Sequence, residues 1–314
     1  MTNFFKGFGL ATACCALTLA GCATRPEAPR DVSRAPSARL AAAPDRNLAA
    51  EASAFESFMR RARGIDADFS GPSDVAQALQ TGASHEPHEL EAGMIAYAAM
   101  AALQEPRFVA AVRAHRDRED LARRLAADPW AALALPGGEA AGSRASGALY
   151  SQGAALSGKG EKVKHAAYSV QREAWAKAQV PNPAARLSRV KRISAEGYRP
   201  GQEDAARLRA ALEGGERRSG APGPAVARGV ALAALSVLGE DGRGRSLMAE
   251  PRAESCLRLA KLNLYQCLAS AGPHYEDIYC LGQHAMIDPG QCVVDATRAP
   301  AARQMAMTRA SYRR

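Results

Sequence analysis

Hydrophobic residues recur along this chain at helical spacing, not in the alternation of a half-buried strand. Leu48, Phe55, Phe58 and Met59 share one face of a helix that Asn47 can cap and that ends before Gly64. Ser73 caps a short helix with Val75 and Leu79, stopped by Gly82. Pro87 suits the first turn of a helix through Gln104, with Glu89 and Glu91 near its positive end and Leu90, Met94, Tyr97 and Ala101 on one stripe. Pro106 starts the next, with Phe108, Val109 and Val112, and another over Glu119 to Ala127 stops at Asp128-Pro129. From Ala145 to Val180 the pattern stays helical but is interrupted by Gly153, Gly158 and Gly160, and Pro181-Asn182-Pro183 is a firm break. Helices near Ala184–Ala195 and Gln202–Glu213 carry dense Arg and Lys. Residues 214–224, GGERRSGAPGP, read as a linker, and Ala225 to Leu238 as a nearly all-apolar core helix, too short to span a membrane and carrying Arg228. The expected fold is an all-α multi-helix bundle. Its helical body covers 47–213, a second part 225–298, and a basic tail 299–314.

The segment from Ser255 to Cys292 holds four cysteines. Cys256 and Cys267 lie eleven residues apart, close to three helical turns, so they share a face. Gly272-Pro273 breaks that helix, and Glu276 and Asp277 suit the first turn of the next. The pairs Cys267/Cys280 and Cys256/Cys292 are both centred on this turn, and in an antiparallel hairpin residues equidistant from the turn face each other. Of the three connectivities open to four cysteines, the nested one is expected: Cys267–Cys280 inside, Cys256–Cys292 outside. Pro289-Gly290 is expected to end the second helix before Cys292, so that a turn delivers the outer partner. A zinc site is disfavoured, because metal knuckles place two cysteines two to four residues apart and no such pair exists here. His284, one turn beyond Cys280, reads as a helix-surface or hydrogen-bonded residue. No metal and no cofactor are expected.

Composition agrees with a globular helical body: of 314 residues, 47% are hydrophobic, 23% charged and only 5% aromatic, too few for a β-sandwich. The other three of the seven cysteines sit at the N-terminus. One basic residue in Met1–Lys6, a short apolar stretch from Gly7 to Ala20 and small residues at the cut describe a secretory signal over residues 1–21. Leu19-Ala20-Gly21-Cys22 resembles the lipobox of bacterial lipoproteins at every position. That resemblance implies a diacylglycerol on the Cys22 sulfur, cleavage before it and acylation of the new N-terminus. Several acyl chains together anchor durably, at ~0.8 kcal/mol per buried methylene. Ala23 in place of the Asp that resembles an inner-membrane retention signal favours the outer membrane. Residues 22–46 then form a lipid anchor and a disordered tether rich in Ala, Pro and Arg. Cleavage lowers the net charge from +9 to +8 and leaves four thiols in an oxidising compartment, an even number that disulfides can consume.

Several local patterns approach catalytic motifs without completing them. Gly153 to Gly160 resembles a phosphate-binding loop, but the residue after Lys159 is Gly160, not the Ser or Thr that binds magnesium. Ser188 and Lys191 match Ser-x-x-Lys of penicillin-binding enzymes without its partner motifs. His85-Glu86-Pro87-His88-Glu89 departs from His-Glu-x-x-His in spacing, and Pro87 bars the helix interior that motif needs. Asp241-Gly242 resembles the start of a calcium loop that lacks its final acid, Arg252 standing there.

The positive charge is not interleaved with stacking aromatics, and an envelope protein rarely meets nucleic acid, so none is expected as a partner. Anionic groups in the envelope are lipopolysaccharide phosphates, phospholipid headgroups and peptidoglycan carboxylates. Arg186, Arg189, Lys191, Arg192, Arg217 and Arg218 form the candidate surface for them. The expectation is a periplasm-facing outer-membrane lipoprotein acting without catalysis, as an envelope scaffold, adaptor or assembly factor. The body resembles Gram-negative envelope lipoproteins in general, a kinship that supplies no mechanism. The alternatives are an envelope hydrolase using Ser188/Lys191 or His85/His88, and a binding module for an anionic glycan or lipid.

Overall fold

A computed structural model describes residues 48–213 and 216–299. The signal segment, Cys22, the tether, the cap at Asn47 and the tail from residue 300 lie outside the described residues. The first half holds α1 (Leu48–Arg63), α2 (Pro72–Ala83), α3 (Pro87–Ala102), α4 (Pro106–Arg113), α5 (Arg118–Ala127), a 3-10 segment (Pro129–Ala134) and α6 (Gly138–Val170). Then follow α7 (Ala174–Lys177), α8 (Pro183–Ala195), α9 (Gln202–Leu212), α10 (Pro224–Leu238) and a second 3-10 segment (Asp241–Met248). The chain finishes with α11 (Pro251–Ser270), α12 (His274–Cys280), a π-helical stretch (Leu281–Ile287) and α13 (Asp288–Ala296). No strand forms among the described residues, so the fold is all-α. No helix among them is long and apolar enough to cross a membrane.

Proline sets many of the starts: α2, α3, α4, α8, α10 and α11 each open on one, where the missing N–H has no intrahelical partner to lose. α2 therefore begins at Pro72 with Gly71 as its cap, two residues before the Ser73 that its sequence favours. Side-chain caps accompany the proline at some of these starts. Glu86 accepts the Glu89 N–H at 2.9 Å at α3, and Asn182 accepts the Ala185 N–H at 3.1 Å at α8.

α3 is the central helix. It is apolar nearly all round and packs against α1, α6, α10 and α11. Small residues let it approach its neighbours closely: a Cβ at Gly93 would strike Phe55 of α1, and one at Gly229 of α10 would strike Ala98 and the backbone of α3. Tyr97 joins three helices, stacking on Phe55 at 5.2 Å between ring centroids while its hydroxyl accepts the Gln152 side-chain amide at 3.0 Å. Ala225–Leu238 is buried as its composition requires.

Three expectations about continuity are corrected. α6 runs unbroken through Gly153, Gly158 and Gly160 for 33 residues. Two of those glycines are contact points for the C-terminal helices: a Cβ on Gly153 would strike the Gly290 carbonyl, and one on Gly160 would strike Met286 and Ile287. A helix tolerates such glycines, each at ~1 kcal/mol relative to Ala, when the missing side chain admits a neighbouring backbone. Pro289-Gly290 does not end the last helix either. Pro289 sits in the first turn of α13, directly after the π-helical stretch, whose wider i→i+5 spacing disturbs the ordinary hydrogen-bond ladder before the proline ring arrives. Gly290 then lies against Gly153 and Ser157 of α6. Finally, the segment expected to link two parts is packed onto α6. The Arg218 N–H donates to the Ser143 carbonyl and the Ser143 hydroxyl to the Arg218 carbonyl, both at 3.0 Å. A Cβ on Gly147 would overlap the Glu216 carbonyl oxygen. The described residues all fall in one compact unit.

The nested pairing of cysteines is present. Cys256–Cys292 and Cys267–Cys280 are both bonded, each with Cα atoms 5.7 Å apart. They staple α11 to the helix that returns along it.

Candidate functional site

The six basic residues expected to form one surface divide. Arg217 and Arg218 lie against α6 and its neighbours: Arg217 donates to Glu105 at 2.7 Å, and the Arg218 guanidinium stacks over Tyr150 at 3.7 Å. The other four lie on α8, which packs against α2 and α11. Arg186 is not a surface residue. Its side chain is 10% exposed, pairs with Asp277 of α12 and donates to the carbonyls of Leu268 and Ala271 at the C-terminal end of α11. A guanidinium with its fixed fork of donors can close a helix C-terminus and hold a carboxylate at once. Lys191 and Arg192 are exposed, Lys191 with its ammonium 5.6 Å from the Tyr265 ring centre.

Arg189 has neither a hydrogen bond nor an ion pair among the described residues. It lines a cavity of about 490 Å³ bounded by α2, α8, the segment before α8 and the start of α12. Asn182, Ala185, Arg186, Arg189 and Val190 recur every three or four residues, so α8 turns one face to this space. Val75 and Leu79 of α2 and Val180 supply an apolar wall, and His274 and Asp277 enter from α12. Burial pushes the Asp277 carboxyl up to about 6 against the pull of Arg186, and burial together with Arg186 lowers His274. At neutral pH the cavity therefore holds a neutral His274, an Arg186–Asp277 pair and the unmatched charge of Arg189.

A second cluster is wholly internal. Lys261 of α11 donates to the Ala83 carbonyl at 3.0 Å and lies 3.3 Å from both the Ser194 hydroxyl and His85 Nδ1. The Ser194 hydroxyl has two carbonyls in donating range, Ala83 at 2.9 Å and Val190 at 2.8 Å, and the His85 ring stacks on Phe58. Lys261, Ser194 and His85 are all buried, and burial brings the Lys261 ammonium down to about 7 and His85 well below its usual range. The cavity beside Arg189 is not lined by this knot, which ties the end of α2 to α8 and α11.

The near-motifs do not converge. Ser188 and Lys191 are both exposed on α8. His85 is in the core, whereas His88 is half-exposed beside Glu91, 3.4 Å away, whose hydrogen bond raises it. Among the described residues, no three His, Cys, Asp or Glu side chains are grouped to hold a metal. A cleft of about 310 Å³ adjoins Cys267–Cys280, walled by Tyr168, Tyr275 and Tyr279. Sequence reasoning placed Asp277 only as a helix-dipole residue and missed His274, Ser194 and Lys261. Nothing local marks them, because their partners come from distant elements. Comparison with protein-family models, with curated proteins and with solved structures gives no match.

Proposed function

We propose that this chain is a lipid-anchored protein of the outer membrane, facing the periplasm, whose helical unit acts without catalysis as an envelope scaffold, adaptor or assembly factor. The observation that carries this reading is the pair of disulfides that consumes all four cysteines downstream of Cys22. Such crosslinks persist in oxidising compartments and are rare in reducing ones. The lipobox-like Leu19-Ala20-Gly21-Cys22 supplies the address and the anchor. For a hydrolase, Ser188 and Lys191 lie exposed on α8 and border neither cavity, and His85 and His88 are separated between core and surface. The hydroxyl nearest a lysine of lowered pKa is Ser194, beside Lys261. That hydroxyl is buried and faces two backbone carbonyls, which leaves no place for a substrate.

Replacing Cys22 with Ser tests the anchor, and crosslinking in intact cells tests the role. The wild-type chain is expected to incorporate labelled palmitate, to fractionate with outer membrane and to give a discrete adduct with an envelope protein. Cys22→Ser is expected to lose the label and the adduct together. A labelled Cys22→Ser chain contradicts the anchor. A wild-type chain that crosslinks to nothing contradicts the scaffold.

A further inference from the structure

We propose that the cavity between α2, α8 and α12 is a binding site for a carboxylate carried on a small apolar body. Arg189 supplies the charge. It lines the cavity from α8, one turn beyond Arg186, and no acid among the described residues answers it. Arg186 borders the same space with its charge already matched by Asp277, which leaves Arg189 as the unmatched one. The two terminal nitrogens of Arg186 are held by Asp277 and by the end of α11, which leaves its Nε buried without a partner. The N-terminal ends of α2, at Pro72 and Ser73, and of α8, at Asn182, also border the space and add to its positive potential.

The class of anion follows from charge and wall. One unmatched guanidinium suits a monoanion, and a planar fork matches a carboxylate through two parallel hydrogen bonds. Val75, Leu79, Val180 and Val190 accept methyl or short alkyl groups, and Ser73, Gln80 and Asn182 supply polar groups at the same wall but no further positive charge for a dianion. A volume of about 490 Å³ is that of a small-ligand site and fits one or two small residues of a peptide end or a short alkyl acid. The inference does not depend on the lipid anchor, because the binding is read on the purified chain.

Calorimetric titration of the full chain tests it, with acetyl-dialanine in its L,L and D,D forms, the corresponding amides, hexanoate and inorganic phosphate as probes. At least one carboxylate is expected to bind. The D,D peptide, the L,L peptide or hexanoate then identifies the source as a cell-wall peptide end, an ordinary chain end or a fatty acid. Arg189→Ala is expected to weaken that probe about tenfold or more, as does amidation, since either removes a charge-assisted pair. Arg189 is exposed and unpartnered, so its loss leaves the fold intact. Arg192→Ala, on the same helix but outside the cavity, is expected to change affinity less than about twofold. Failure of every carboxylate to bind, binding that survives both amidation and Arg189→Ala, or a preference for phosphate would each overturn the assignment.

Discussion

Removing the outer disulfide by replacing Cys256 and Cys292 with alanine is expected to cost about 4 kcal/mol of stability, and removing Cys267–Cys280 about 3 kcal/mol. The difference follows from loop length. The outer bond spans 36 residues of sequence and the inner one 13, and closing a longer loop withdraws more freedom from the unfolded chain. The hairpin is where that restriction matters most. Its return helix meets α6 backbone to backbone at Gly153 and Gly290, a close fit that tolerates little displacement of the hairpin. Guanidinium unfolding of the two double variants and the parent, without reductant, provides the comparison. Lower midpoints for both variants, with the outer loss larger, are expected; unchanged midpoints would show that the staples do not restrain this fold. The inner bond also borders the tyrosine-walled cleft.

The second large effect concerns Lys261. Burial holds its amine near 7, against an ordinary value of 10.5. Between those two values the unfolded chain binds a proton that the folded chain does not, so stability rises with pH across that window. At ~1.4 kcal/mol per pKa unit the full window amounts to on the order of 5 kcal/mol. His85, also lowered by burial, adds a rise of the same sign below 6.5. The buried Tyr97 and half-buried Tyr265 titrate above their usual 10 and act in the opposite sense there, so the scan belongs between about pH 7 and pH 9.5. Lys261→Met keeps the volume and removes the amine, while the Ser194 hydroxyl still reaches the Ala83 carbonyl. Urea unfolding at stepped pH is expected to show a rising stability for the parent and a flat profile for Lys261→Met. Parallel profiles would mean that this amine is charged in the fold and solvated.

What the sequence disclosed here was local or symmetric. Pro87 and Pro106 announced helix starts because a missing N–H is tolerated there, and the cysteine spacing about Gly272-Pro273 announced the nested pairing because a hairpin is symmetric about its turn. What it concealed was decided by partners far along the chain. Gly153 and Gly160 read as interruptions, since a glycine looks like a breaker until the helix that needs its bare backbone is known. Arg186 read as surface charge because Leu268, Ala271 and Asp277, which hold it inside, are more than eighty residues away. Pro289 read as a stop because the π-helical stretch before it has no simple sequence mark. The same distance hides Lys261 from Ser194 and His85. Of the six basic positions chosen for an anionic partner, only Arg186 and Arg189 border the cavity; helical spacing puts these two on one face of α8, but which face meets a cavity is decided by the distant α2 and α12.

The account rests on a chain that is exported, acylated and crosslinked. The intact mass of the protein recovered without reductant from the membranes of cells that make it tests all three at once. The mass expected is that of a chain beginning at Cys22, increased by its acyl groups and lower by four hydrogens than the fully reduced form. A chain that retains residues 1–21, carries no lipid and holds four free thiols downstream of Cys22 would contradict it.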